Sequence, residues 1–92
     1  METVPTQPDR VCARELSRLS DAMDNTDDEL FAAERTGDCS QRIVLLLERS
    51  RLWQQYGELL ETMGRESWKA FGCARRDHSE ALRLQAEAER RS

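Results

Sequence analysis

The sequence predicts an all-α protein built on a helical hairpin with coiled-coil-like packing. Three observations carry that expectation. Apolar residues recur three and four apart along most of the chain, which gives a helix one apolar face. Breakers are scarce: four Gly and two Pro among 92 residues, with both prolines in the first eight. One step, Gly37-Asp38, joins a helix stop to a helix start.

Residues 1–8 read as a polar, disordered lead, and residues 9–92 as a single helical domain. Pro8 before Asp9 suits a first helical turn, because an N–H there has no intrahelical acceptor; Thr6 or Gln7 then stands near the cap. The first helix runs over 9–36. Its stripe is Cys12, Leu16, Leu19, Met23, Thr26, Leu30 and Ala33, in steps of four and three, with Thr26 as the polar interruption. Gly37 follows Thr36, where a left-handed residue ends a helix. Asp38 can cap the next helix, with Gln41 three residues on in the capping-box position.

The second helix spans 40–63. Leu45, Leu46, Leu52, Trp53, Tyr56, Leu59, Leu60 and Met63 give it an apolar face wide enough to need two neighbours or more. Ile43–Leu47 is apolar on every side, so it is expected deep in a bundle. Gly64 leaves two readings: one helix continuing to residue 90, or a break followed by a third helix over 65–90. Trp68, Phe71, Ala74 and Leu82 carry a thinner stripe onward. Ala81–Arg91 is made of good helix formers, and Glu87 and Arg91 stand four apart in the favourable order.

Composition excludes several classes of function. Residues 1–40 carry four basic and ten acidic side chains, a net of −6. Residues 41–64 balance at three and three; residues 65–92 carry seven and five, a net of +2. A chain of net charge −4 without a long basic stripe makes a poor nucleic-acid binder. The asymmetry lets the acidic first segment attract the mildly basic last one, within one chain or between two antiparallel copies. No apolar run exceeds the five residues Ile43–Leu47, so no membrane span is expected. Met1–Arg10 lacks the basic start and apolar core of a secretory signal. Cys12, Cys39 and Cys73 therefore read as reduced thiols of a cytoplasmic or nuclear protein.

Catalysis and metal binding need convergent groups, and the sequence offers no set of them. The single His78 is five residues after Cys73, and no Cys-x-x-Cys pair exists for zinc. Asp77 and His78 are adjacent, hence about 100° apart on a helix and not facing each other. The acidic run from Asp24 has Glu29 and Arg35 where a calcium loop needs Gly and Glu. Thr26 precedes Asp27-Asp28-Glu29, the context acidophilic kinases prefer; a phosphate there would weaken the first helix by like-charge repulsion. The expectation is a non-enzymatic chain with no cofactor, metal or small-molecule substrate.

One local pattern is sharper. Cys12, Leu16, Leu19 and Met23 are four apolar anchors at helical spacing, with Ser20-Asp21 before the last. This resembles the third homology motif of Bcl-2-family death ligands. The resemblance implies that the four anchors enter a groove, that Ser20 allows close approach, and that Asp21 pairs with a groove Arg. It covers Cys12–Asp24 only, and departs from the family in Cys at the first anchor and Ser at the small position. The physical mode is a helix in a groove.

Aromatic residues complete the candidate set. Trp53 and Tyr56 belong to the wide face and read as core. Trp68 and Phe71 lie on a more charged stretch, where core and interface are equally favoured. The sequence thus points to a protein-interaction subunit or adaptor working through helix–helix contacts, as a homo- or hetero-oligomer. The alternative is a pro-apoptotic ligand using Cys12, Leu16, Leu19, Asp21 and Met23.

Overall fold

The computed structural model describes residues 6–91 as three helices: α1 Thr6–Thr36, α2 Cys39–Thr62 and α3 Trp68–Arg91. The chain runs up, down and up, so α1 and α3 are parallel and α2 packs antiparallel to both. The result is a rod of 65 × 21 × 15 Å with a radius of gyration of 16.5 Å. A compact chain of this length would have a radius of about 12 Å.

Both turns use one device. At the end of α1, Gly37 takes φ +73° and donates to Glu34 O at 3.3 Å, while Asp38 N–H donates to Ala33 O at 3.0 Å. At the end of α2, Gly64 takes φ +73° and donates to Glu61 O at 3.0 Å, while Arg65 N–H donates to Leu60 O at 2.8 Å. These are the two bonds of a Schellman closure, which satisfy carbonyls the helix itself cannot. Asp38 then caps α2, its Oδ1 accepting from Gln41 N–H at 3.0 Å. Ser67 O accepts from Phe71 N–H at 3.1 Å and opens α3. Gly64 therefore ends the helix outright, and the reading with three helices holds.

The core has two parts. At one end Leu30 and Ala33 of α1, Leu45 and Leu46 of α2, and Ala81 and Leu84 of α3 form a cluster of buried side chains from all three helices. Toward the other end Leu19 and Met23 pack with Leu52, flanked by half-buried Ala22, Trp53, Tyr56 and Leu59. The α1 stripe is buried from Leu16 to Ala33 at every predicted position, and Cys12 is half-buried. Thr26 is 5% exposed, and its hydroxyl donates to Ala22 O at 2.9 Å. The kinase-type context around it therefore surrounds an enclosed hydroxyl.

Four expectations need correction. α1 begins at Thr6 rather than Asp9, because Pro8 in its first turn lacks an N–H that would be unpaired there anyway; residues 1–5 of the expected lead lie outside the described residues. Ile43–Leu47 is not buried all round: Val44 is 59% exposed, since α2 has neighbours on two sides only. Of the expected α3 stripe Trp68, Phe71, Ala74 and Leu82, only Ala74 is buried. The buried stripe is Ala70, Ala74, Asp77, Ala81 and Leu84, with Trp68 64% and Leu82 51% exposed. Small residues bring α3 close to α2, so that Ser50 Oγ donates to Ala74 O at 2.7 Å and the Phe71 ring lies against Gly57. Glu87, finally, accepts from Arg83 at 2.6 Å rather than from Arg91.

Candidate interaction groove

The two parts of the core meet at a partly buried ionic clamp. Asp77 occupies a seam position of α3 and is 6% exposed. Arg49, on α2, answers it with two bonds, Nε to Oδ2 at 2.8 Å and Nη2 to Oδ1 at 3.0 Å. Its Nη1 donates to Asp27 Oδ1 of α1 at 2.6 Å. One guanidinium on the middle helix thus ties both outer helices. The hydrogen bonds that Arg49 donates to Asp77 raise the Arg49 pKa well above the ordinary arginine value, against a smaller opposing effect of burial. Fork-to-fork pairing fixes geometry as well as charge.

Among the described residues α1 and α3 each pack on α2 and make no close backbone contact with each other. Beyond the clamp the inward residues of α3 are Ala70 and Ala74, whereas at the other end Leu84 joins the cluster that holds Leu30 and Ala33 of α1. A groove of about 360 Å³ lies at the Ala70 end. Its floor is Trp53, Tyr56 and Leu60 of α2. One wall is Ser20 and Met23 of α1; the other is Glu66 of the α2–α3 connection with Lys69 and Ala70 at the start of α3. Trp53 and Tyr56 meet edge to face, 5.8 Å between centroids at 71°. Such a packed pair presents a rigid floor, apolar in body and polar only at the Tyr hydroxyl and Trp N–H.

The residues singled out from sequence are distributed unequally over this site. Leu16, Leu19 and Met23 are 8%, 1% and 7% exposed and face α2. Cys12 is half-buried, and Asp21 is exposed on the outer side of α1. Ser20 and Met23 reach the groove; Trp68 and Phe71 do not line it. The Lys69 ammonium lies 5.5 Å from the Trp68 ring centre, so the exposed indole carries a cation on its face. Sequence reasoning missed the Arg49 clamp and the groove. A signal for the first was present: Ala70, Ala74, Asp77, Ala81 and Leu84 step by four and three, which places one carboxylate in a small-residue seam and calls for a cation opposite.

Among the described residues no group of three or more His, Cys, Asp or Glu side chains could hold a metal ion. No described helix is long and apolar enough to cross a membrane. Comparison with protein-family models, curated proteins and solved structures gives no match to this chain.

Proposed function

We propose that the chain is a helical interaction subunit, which takes a partner helix in the groove between α1 and α3. The observation that supports this is the aromatic floor of Trp53 and Tyr56, which lines a groove between residues of α1 and the start of α3. Aromatic side chains dominate helix-in-groove recognition because they bury large area at small entropic cost. The rod shape adds surplus surface. The chain exposes 6574 Å², about a fifth more than the ~5500 Å² of a compact monomer of this mass. A fourth helix between α1 and α3 would complete a four-helix arrangement at the open end.

The test is a photo-crosslinking residue placed at Ser20, at the groove, and separately at Asn25, on the far flank of α1. In extract of the cells that make the protein, position 20 is expected to give discrete protein adducts and position 25 none. A folded chain giving no adduct at 20, or equal yields at both positions, overturns the proposal. The death-ligand reading uses Leu16, Leu19 and Met23 in another way and requires α1 to leave α2. Its test is a peptide of residues 9–27 offered to Bcl-2-family grooves. The expected result is no binding; binding abolished by both Leu16→Ala and Asp21→Ala would replace the adaptor reading.

A further inference from the structure

Each wall of the groove continues as an exposed flank that carries one unpaired charge, acidic on α1 and basic on α3. On α1, Ser20 lines the groove and Asp27 reaches the clamp; Asp24, between them at helical spacing, is on the same flank and exposed. On α3, Lys69 lines the groove, and Arg76, seven residues on, shares its flank and is exposed. Arg83 further along is held by Glu80 and Glu87. Among the described residues neither Asp24 nor Arg76 has an ion pair within the chain.

The levels also match. α1 and α3 run parallel, and Arg49 holds Asp27 and Asp77 at one height along the rod. Asp24 therefore lies three residues below that height on α1, and Arg76 one residue below it on α3. A helix rises about 1.5 Å per residue, so the two differ by about 3 Å along the axis.

We infer that the open face between α1 and α3 receives a second copy of this chain, related by a two-fold axis parallel to the helices. That operation sets the α1 flank of each copy against the α3 flank of the other, at unchanged height. Asp24 then meets Arg76 of the second copy twice, and the two apolar grooves face each other across the axis. Turning the second copy end for end would instead place α1 on α1 and α3 on α3, with acid against acid. The self-complementary patch is what a closed two-fold contact requires. A face 21 Å wide along most of the helix length offers on the order of 700 Å² per copy, near the ~800 Å² of a standard interface. Phe31, four residues past Asp27 and 62% exposed, extends the same flank.

This inference rests on the groove being an interface and names the partner, whose own groove rather than a single helix then lies across it. The experiment is sedimentation equilibrium of the full chain up to about 100 µM, with thermal melts of every variant. A dimer is expected. Ser20→Arg should weaken it at least tenfold while the melt stays cooperative. Asp24→Arg and Arg76→Asp should each weaken it roughly tenfold, and the two together should restore it, since like charges across an interface repel and exchanged ones attract. A dimer indifferent to these changes, or one that the double exchange leaves weak, overturns the face. A folded chain that stays monomeric overturns the second copy; if it still crosslinks through position 20 to another protein, the groove reading stands without it.

Discussion

The two ends of the rod are built from the same helices and differ in one feature of α3. At the closed end α3 presents Ala81, fully buried, and Leu84, 4% exposed, and these join α1 and α2 in one three-helix cluster. At the open end it presents Ala70 and Ala74, and the corresponding cluster holds buried residues from α1 and α2 alone. Alanine lets two helices approach closely but leaves nothing to reach a third. So α2 and α3 pack on each other, while the shared buried cluster includes all three helices only where α3 carries Leu84 beside Ala81. Side-chain length on a single helix separates the end with a common core from the end with a groove.

The clamp between the ends should show the largest effect. Arg49→Met leaves Asp77 buried without a cation, which is expected to cost about 3–5 kcal/mol in urea unfolding. Adding Asp77→Leu to that variant should recover most of the loss, because the uncompensated charge is then gone. Asp27→Ala should cost only ~0.2–1 kcal/mol, since its carboxylate is half-exposed. Equal losses for Asp27→Ala and Arg49→Met would mean that the clamp to α1, not to α3, holds the rod.

Next in size is a matched pair of leucines on α2. Leu46 is 6% exposed at the closed end; Leu60 is half-buried at the groove. Leu46→Ala is expected to lose about 2–5 kcal/mol, through a cavity that three helices cannot collapse. Leu60→Ala should lose about 1 kcal/mol, as its side chain already borders open space. Equal losses by denaturant titration would show that the groove is filled in solution, by this chain or a second copy.

Legibility followed the same division. The α1 stripe from Leu16 to Ala33 was readable residue by residue, because long apolar side chains alternate with charges at heptad spacing. The turn at Gly37-Asp38 was readable because a positive φ and a side-chain cap need particular residues. On α3 the eye goes to Trp68, Phe71 and Leu82, which are large, whereas all of the seam but Leu84 is made of alanines and one aspartate, which hydrophobicity ranks low. Half of the capping box also failed to form: the Asp38 N–H, free for Gln41 to accept in a box, is taken by Ala33 O. The groove itself was not readable, since it depends on how far apart two helices lie that are not adjacent in sequence.

The turns test whether α3 is a separate helix. Gly64→Ala puts a Cβ on a residue at φ +73°, which should cost about 1–2 kcal/mol, although nothing lies within 4 Å of that atom. The cost would then be backbone strain alone. An unchanged or raised melting midpoint would mean that α2 and α3 can fuse into one helix, and the open end would then lose its third wall.

The smallest effect comes from two glycines inside helices, which differ only in what surrounds them. Gly72, in α3, has nothing within 4 Å of an added Cβ. Gly57, in α2, would place that atom 2.6 Å from the Phe71 ring. Glycine costs a helix interior about 0.8–1.0 kcal/mol relative to alanine, so both substitutions gain that much locally. At Gly72 the gain should appear in full as a raised melting midpoint. At Gly57 the ring must move, and overpacking of about 1–3 kcal/mol offsets or reverses the gain. Phe71→Ala removes the obstacle, so in that background Gly57→Ala should become stabilising like Gly72→Ala. If Gly57→Ala stabilises the unaltered chain as much as Gly72→Ala does, then Phe71 does not rest on α2, and the close approach of α2 and α3 at the open end is wrong.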